Sequence, residues 1–367
     1  MKLIDVIIPV YKAHSTLMRT LSSIACQSIV DNIRVTLVND CCPEGDYQYF
    51  VDKFSDVFEI NEIKLEKNGG PGVARQFGID NTDCPFFTCI DADDTFAGAF
   101  ALDSLLKVMN KDIKIKCVSG VFNEVHPEGF APHQADMVWM FGKLYRRDFI
   151  NKYNIRFNET RANEDTGFNS KVKLLCSYSD DESVVFLNDL VYYWHEKVDS
   201  ITRINNCQYS YDQSFCGWTD NMIDTYNFCK KAQPFNGIID SFAVDNMFKL
   251  YTYFCECAER APVFKEQNWH YVKKYYNKVY KNLEDKISEE TKKHAYSEAM
   301  KHSYDGGSFL GIIPIYSINE FFDKLKEEPY SDDEIYKIYE SIPDELLENN
   351  VKCGVCEKDY YKESLNK

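Results

Sequence analysis

Strand-like runs alternate with helical segments over the first 90 residues, and this alternation limits the possible folds more than any other feature. Residues 3–8 form an apolar run that stops at Pro9, and residues 15–27 place Leu17, Leu21 and Ile24 at helical spacing. The same alternation continues with strands at 33–38, 60–65 and 86–90 and helices at 47–58 and 71–81. It predicts an α/β fold whose mostly parallel, Rossmann-like sheet is flanked by helices.

Polar or aromatic residues follow each predicted strand end. They are Tyr11, the pair Asn39-Asp40, the segment 68–70 and the segment 91–94. Because ligands of parallel sheets bind beyond the carboxyl ends of the strands, these residues are expected to converge on one edge of the sheet.

The segment Asp91-Ala92-Asp93-Asp94 places three carboxylates directly after a buried strand. Like charges at this spacing repel, and a divalent cation with oxygen ligands is the simplest compensation. Such a cation can also hold a phosphate-bearing substrate. An acidic surface turn is the alternative, which the preceding apolar strand disfavours.

The segment Gly70-Pro71-Gly72 follows a predicted strand and begins a helix, as the glycine motif of dinucleotide-binding proteins does. The third glycine would fall at Arg75, and two strand–helix units precede the motif. A Rossmann oxidoreductase is therefore disfavoured.

The pattern changes along the rest of the chain. Residues 99–205 are mixed, with strand-like runs at 118–122, 137–141 and 186–194, and the segment after 206 is helical. We expect one domain over residues 1–205 and a mainly helical C-terminal domain over residues 206–367.

The net charge of −16 disfavours nucleic acid and anionic lipid as partners unless basic residues are segregated. Residues 271–281 interleave Tyr with Lys, which suits phosphates or a membrane surface. A helix with Tyr packed inward and Lys in solvent is the favoured reading.

The 14 cysteines are expected to be mostly small core residues of a reduced, cytoplasmic chain, with contact to the inner membrane surface as an option. Asp5 interrupts any signal-like apolar run, and no stretch reaches the roughly 20 apolar residues of a membrane helix. Cys353 and Cys356 have metal-ligand spacing, but no second pair follows them.

Six segments, in order, resemble those of family 2 glycosyltransferases. They are residues 6–12, Val38-Asn39-Asp40, residues 68–79, Asp91-Ala92-Asp93-Asp94, residues 163–168 and residues 193–203. The departures are Asn39, Gln76 and Gly98, where the family usually has Asp, Asn and Pro. The resemblance implies a GT-A catalytic domain over residues 1–205, a nucleotide-sugar donor, a divalent metal and inversion at the anomeric carbon.

The resemblance also implies a role for each matched residue. Tyr11 would stack on the base, which is uracil if the donor is a UDP-sugar, Asp40 would accept a hydrogen bond from it, and Asp91 would bind the ribose. The donor-binding set is Pro9, Tyr11, Asp40, Asn68, Gly69, Arg75, Asp91, Ala92, Asp93 and Arg203. The ligands of Mn²⁺ or Mg²⁺ would be Asp93 and His195, with Asp94 either an alternate ligand or a residue that supports the ligands.

Asp165 is implied as the base that deprotonates the acceptor, whereas helix capping is the ordinary reading of Asn163, Glu164 and Asp165. Arg203 would close over the diphosphate together with Ser200 and Thr202. The cations in the segment 143–147 would face either the acceptor or the acidic domain surface.

The acceptor implied by the family is a surface polysaccharide, a wall polymer or a lipid-linked glycan. A modified nucleic-acid base or a protein is the alternative acceptor, and a non-catalytic sugar-nucleotide-binding protein is the alternative outside the enzymes. The residues do not specify the sugar or the oligomeric state.

Overall fold

The structure is a computed structural model. It describes residues 2–127, 129–160, 162–195, 208–234, 236–305 and 316–327, together with residues 331, 334 and 337. The chain forms two compact units, residues 1–196 and residues 197–367. The predicted domain boundary at residue 205 lies outside the described residues.

The described part of the first unit contains a sheet of nine strands. The strands are β1 (Ile4–Val10), β2 (Ile33–Asn39), β3 (Glu59–Lys64), β4 (Phe86–Cys89), β5 (Thr95–Phe96), β6 (Ile115–His126), β7 (Gly129–His133), β8 (Lys143–Arg146) and β9 (Ser183–His195). Their order is β3-β2-β1-β4-β8-β6-β9-β5, with β7 paired to β6. The α/β prediction is confirmed, but the parallel part consists of β1 to β4 and the β6–β9 pair, while β5, β7 and β8 pair antiparallel.

Six helices accompany these strands in the described residues. They are α1 (Leu17–Ala25), α2 (Gln48–Phe54), α3 (Pro71–Asp80), α4 (Ala101–Met109), α5 (Arg147–Tyr153) and α6 (Glu164–Ser177). Helix α1 buries Leu17, Leu21 and Ile24, the residues whose spacing predicted it. Helix α3 approaches the sheet closely at Gly78, where a Cβ would lie 2.4 Å from Ile7 Cγ2.

Strand β1 does not stop at Pro9, in contrast to the prediction. Pro9 pairs in register with Val38 of β2, and the strand continues to Val10. Proline is tolerated here because β4 pairs with β1 only as far as Ile7, so the missing N–H of Pro9 removes no bond to β4.

Residues 137–141 were predicted as a strand and instead form bends. Their backbone groups bond to side chains rather than to a neighbouring strand. The Asp136 carboxylate accepts from the N–H groups of Val138 and Trp139, and the Trp139 carbonyl accepts from Lys143 and Asn169. Met137, Met140 and Phe141 are still buried, although Val138 is exposed, which explains why the apolar run looked like a strand.

The second unit is helical in its described residues, as predicted. Its helices are α7 (Gln208–Ala232), α8 (Gly237–Arg260), α9 (Lys265–Lys278), α10 (Glu289–Asp305) and α11 (Ile318–Leu325). Its core is aromatic, with Tyr251, Phe254 and Phe321 packed together. Among the described residues, no helix combines the length and the hydropathy needed to cross a membrane.

Helix α9 contains the Tyr-Lys segment. Tyr271, Tyr275 and Tyr276 are buried, which confirms the inward-facing interpretation for tyrosine. The lysines are less solvated than expected, because Lys273 is buried and Lys274 Nζ lies 2.9 Å from an Asp220 carboxylate oxygen.

Candidate active site

The ends of the parallel strands bring the predicted site residues to one edge of the sheet. The Asp40 N–H donates to the Val10 carbonyl over 3.1 Å, so Tyr11 and Asp40 follow adjacent strand ends. The Ile90 N–H donates to the Ile7 carbonyl over 3.1 Å, which places the acidic segment beside the same edge. Tyr11 is 39% exposed and can offer a ring face to a ligand.

Asp40 organises the loop that opens α3. Its two carboxylate oxygens accept from the N–H groups of Gly69 and Gly70 over 2.7 and 2.8 Å, and Asn68 donates to its carbonyl. Gly70 adopts a φ of +85°, a conformation that glycine accepts without strain. Asp40 therefore shapes the predicted donor loop, in addition to any contact with a base.

A buried arginine ties three segments of the site together. Arg75 on α3 donates to Asp91 after β4 and to Glu164 at the start of α6, each over 2.7 Å. Burial lowers the pKa of Arg75, but the two carboxylates outweigh it and raise that pKa well above its ordinary value. The guanidinium was expected to contact the donor directly, whereas in the structure it positions Asp91 and the α6 N-terminus.

Asp165, the predicted base, lies beside this arginine cluster in the first turn of α6. Burial, and to a smaller degree the neighbouring Glu164 charge, raises the pKa of Asp165 to about 7. The positive charge of Arg75 acts in the opposite direction and lowers it. One of its oxygens accepts from the Thr166 N–H over 2.7 Å. A carboxyl group with a pKa near the working pH suits a general base.

Asp94 is fully buried and fully hydrogen bonded within the described structure. Its carboxylate accepts from the Tyr192 hydroxyl over 2.7 Å and from the His195 N–H over 2.8 Å. Burial, aided by Asp91 and Asp93, raises its pKa well above its ordinary value. These bonds join the acidic turn to the end of β9 and engage both Asp94 oxygens, which is the arrangement expected if Asp94 supports the metal ligands instead of binding the metal itself.

Asp93 and His195 remain as the candidate ligands of a divalent cation. Burial, and to a smaller degree Arg19, lowers the pKa of His195, which favours the neutral ring that a metal requires. Thr95 Oγ1 lies 3.0 Å from His195 Nε2 and orients the ring. Two protein ligands fit a cation that is completed by substrate phosphates and water, which is the usual arrangement for nucleotide-bound magnesium.

Arg19 is a site residue that the sequence analysis missed. It stands exposed on α1 and its guanidinium donates to the Asp93 carbonyl. A lone arginine on the polar face of an otherwise apolar helix is the only local signal, and it does not indicate that α1 reaches the acidic turn.

The cations of segment 143–147 face neither an acceptor nor the acidic surface, so both readings of them were wrong. Lys143 is 0% exposed and donates to Asp136, Trp139 and Phe141. Arg146 and Arg147 are also buried. They donate mainly to backbone carbonyls, those of Met109 and Ile115 from Arg146 and those of Ile79 and Cys84 from Arg147. These side chains stabilise the fold.

The remaining predicted residues either lie in regular positions of the fold or fall outside the described residues. Pro9 lies in β1 and Ala92 is buried in the acidic turn. Arg203, Ser200 and Thr202 lie outside the described residues, as do Cys353 and Cys356.

Comparison with known proteins identifies the first unit. Residues 5–164 match the family model "Glycosyl transferase family 2". The chain carries a family 2 glycosyltransferase domain. The matched range includes every site segment described above except the end of β9 and the Asp165 position, which directly follows it.

Two curated relatives support this family. The chain is 27% identical over 210 residues to poly(ribitol-phosphate) beta-N-acetylglucosaminyltransferase TarS of Staphylococcus aureus, covering 53% of this chain and 35% of TarS. It is 24% identical over 227 residues to glycosyltransferase GlyA of Streptococcus pneumoniae, covering 55% of this chain and 32% of GlyA. The alignments thus span about a third of the length of these relatives.

Solved structures support the GT-A fold of this glycosyltransferase. The crystal structure of S. aureus TarS 1-349 in complex with UDP-GlcNAc has a TM-score of 0.54 and 17% identity, covering 84% of this chain and 92% of that chain. A crystal structure of S. aureus TarS has a TM-score of 0.57 and 17% identity, covering 84% and 55%. At this identity the likeness concerns the fold alone.

Proposed function

We propose that the chain is an inverting, metal-dependent glycosyltransferase that moves a sugar from a UDP-sugar to an acceptor hydroxyl. The observation that carries this proposal is the position of Asp165. Its carboxyl group, with a pKa of about 7, lies beside the Arg75 cluster that also holds Asp91 at the donor edge. A base for the acceptor is thereby joined to the predicted donor site.

The proposed step is a single displacement. Asp165 takes the proton of the acceptor hydroxyl as its oxygen attacks the anomeric carbon, and the bond from that carbon to the diphosphate breaks. A new glycosidic bond and a nucleoside diphosphate result. Attack from the face opposite the leaving group inverts the anomeric configuration.

Asp93 and His195 would hold the cation, which offsets the negative charge of the diphosphate when bound. Arg19 is placed to add positive charge, because its guanidinium reaches the acidic turn. The choice of a UDP-sugar is supported by the structural likeness to S. aureus TarS, which was crystallised in complex with UDP-GlcNAc.

For the acceptor we propose a wall polymer or related surface glycan. The support is the name of the relative TarS, a poly(ribitol-phosphate) glycosyltransferase. A glycan on a lipid carrier belongs to the same chemical class, and the chain would then work at the inner surface of the membrane.

A panel of nucleotide-sugars with Mn²⁺, read by release of the nucleoside diphosphate, tests the proposal. We expect turnover with a UDP-sugar and, for Asp165→Asn, normal donor binding with turnover reduced at least about a hundredfold. Asp103→Asn is the matched control, since Asp103 also lies in a first helical turn but pairs with Lys107 away from the site. Binding of the donor without any turnover would instead favour a non-catalytic sugar-nucleotide-binding protein.

A further inference from the structure

Three potential metal ligands meet outside the proposed catalytic site. His14 lies between β1 and α1, and Cys42 and Glu44 lie between β2 and α2. Their ligand atoms (His14 Nδ1, Cys42 Sγ and a Glu44 carboxylate oxygen, here called the loop cluster) all lie within 4.8 Å of one another. No role was assigned to these residues by the sequence analysis.

The His14 ring is oriented as in a metal ligand. Its Nε2 lies 2.9 Å from the Asp46 carbonyl, which can only accept, so Nε2 carries the proton of the neutral ring. Nδ1 is then left with its lone pair. It is shielded from solvent, has no hydrogen-bond partner among the described residues, and lies 3.4 Å from Glu44 Oε2. Metal-bound histidines characteristically donate their second nitrogen to a carbonyl in this way.

A ring lone pair that faces a carboxylate is stabilised either by a second proton on the ring or by a metal cation shared with the carboxylate. The distance of 3.4 Å is too long for a good hydrogen bond, but it matches two ligands of one tetrahedral metal whose bonds are each about 2.0–2.1 Å long. The spacing therefore fits a shared cation better than it fits a direct contact.

The Cys42 sulfur accepts two hydrogen bonds that fix its position. Its sulfur accepts from the Lys12 N–H over 3.3 Å and from the Tyr47 hydroxyl over 3.6 Å. Tyr47 is fully buried, so its hydroxyl is held against the sulfur. The Tyr47 ring also stacks on His14 with centroids 4.2 Å apart, and Asn39 accepts from the Cys42 N–H. Two ligands are thus oriented by the same tyrosine.

A second group of potential ligands shows what a structural cluster looks like. Asp5, Asp83 and Cys84 also come together, but Arg34 and Arg147 neutralise the buried Asp5. Burial, with Asp5 nearby, raises the pKa of Cys84 to about 12, so its thiol stays protonated. In the loop cluster no arginine or lysine of the described residues forms an ion pair with Glu44.

We propose that the loop cluster binds Zn²⁺ through His14 Nδ1, Cys42 Sγ and Glu44, with the fourth position open to solvent. One sulfur, one imidazole nitrogen and one carboxylate oxygen form a ligand set that suits zinc rather than magnesium or calcium. Binding releases the Cys42 thiol proton as the metal–sulfur bond forms. The metal would join the β1–α1 loop to the β2–α2 loop.

Cobalt titration of the full chain, stripped of metal with a chelator, tests the site without measuring activity. Co²⁺ bound to a thiolate absorbs in the near ultraviolet, whereas Co²⁺ at Asp93 and His195, which offer no sulfur, does not. We expect one equivalent of Co²⁺ to give this absorption, and Zn²⁺ to displace it. The result does not depend on the proposed function.

Four variants decide where the metal lies. Cys42→Ser should abolish the absorption, while Cys41→Ser, its sequence neighbour, should keep it. Glu44 is exposed, so Glu44→Gln should leave the fold intact, keep the absorption and weaken affinity at least about tenfold. The double variant Cys353→Ser/Cys356→Ser should retain the absorption, because that pair is the competing thiolate source.

The proposal is overturned if the unaltered chain gives no absorption, or if the double tail variant loses it. It is also overturned if Cys42→Ser, with an unchanged circular dichroism spectrum, binds Co²⁺ with the same absorption. If Glu44→Gln binds Co²⁺ as tightly as the unaltered chain, Glu44 is not a ligand and the three-residue site is wrong.

Discussion

At the scale of single residues, Asp165 shows how its surroundings set its chemistry. An aspartate in a first helical turn is normally ionised, because the helix dipole favours the negative charge. Burial and the adjacent Glu164 oppose ionisation more strongly here, and the pKa rises to about 7. Arg75 limits the rise, so the group can still lose its proton near neutral pH.

Turnover should therefore increase with pH around neutrality. Only the ionised Asp165 accepts a proton, so kcat is expected to rise about tenfold between roughly pH 6 and pH 8, following a single ionisation near 7. The measurement is a pH profile of nucleoside diphosphate release, with donor binding measured in parallel as the control. A flat kcat over this range would contradict the assignment of Asp165 as the base.

The same ionisation should cost stability. Folding raises the pKa of Asp165 from its ordinary value of 3.8, so its contribution to stability is present at acid pH and is lost as the pH rises through about 7. Asp165→Asn is expected to be more stable than the unaltered chain at about pH 8, by about 1 kcal/mol or roughly 2–4 °C in Tm. The gain should shrink towards pH 5, and a variant that melts earlier at both pH values would refute the argument.

At the scale of elements, glycine permits the contact between α3 and α6 that assembles the site. A Cβ on Gly72 would lie 2.6 Å from Glu164 Cγ. The Glu164 side chain, which accepts from Arg75, therefore fits only because residue 72 has no side chain. The closeness of these two helices brings Asp165 next to the donor edge.

Gly72→Ala should displace Glu164 and thereby disturb the candidate site. We expect a loss of about 1–3 kcal/mol of stability, as for other overpacked contacts, together with reduced turnover, because Glu164 must move away from Arg75. Urea denaturation and nucleoside diphosphate release provide the readouts. Gly237→Ala is the control, since its Cβ would meet nothing within 4 Å. Equal behaviour of the two variants would argue against a tight α3–α6 contact.

A buried ion pair anchors the first residue of strand β8. Lys143 is 0% exposed, and its Nζ lies 2.7 Å from Asp136 Oδ2. Lys143→Met leaves that carboxylate buried without its partner, and we expect a loss of about 3–5 kcal/mol in urea denaturation. The exposed Lys111 supplies the control Lys111→Met. A loss no larger than that of the control would mean that solvent reaches Asp136.

At the scale of the whole molecule, charge argues against a nucleic-acid acceptor. The net charge is −16, and the Tyr-Lys segment in α9 buries its tyrosines and pairs Lys274 with Asp220. We expect no retention of the chain on immobilised duplex DNA at about 0.1 M salt. Retention that weakens as salt is added would revive the nucleic-acid alternative.

Much of this protein could be predicted from local patterns. The alternation of strands and helices in residues 3–90 determined the α/β class, and the strand ends predicted which edge of the sheet gathers the candidate site residues. Such features depend on periodicity and on the order of segments, which are properties of neighbours along the chain. The boundaries of most elements in this region followed within a few residues.

Tertiary structure alone decided how individual polar side chains are used. Asp93 stays partly accessible, whereas the adjacent Asp94 is buried under Tyr192 and the end of β9. Lys143 looked like a surface cation, and its partner depends on bends that replaced a predicted strand. His14 and Cys42 come together through the pairing of β1 and β2. Such partners lie far apart along the chain and meet only through tertiary packing. A buried polar group must be hydrogen bonded, so the folded structure determines which partner each side chain has.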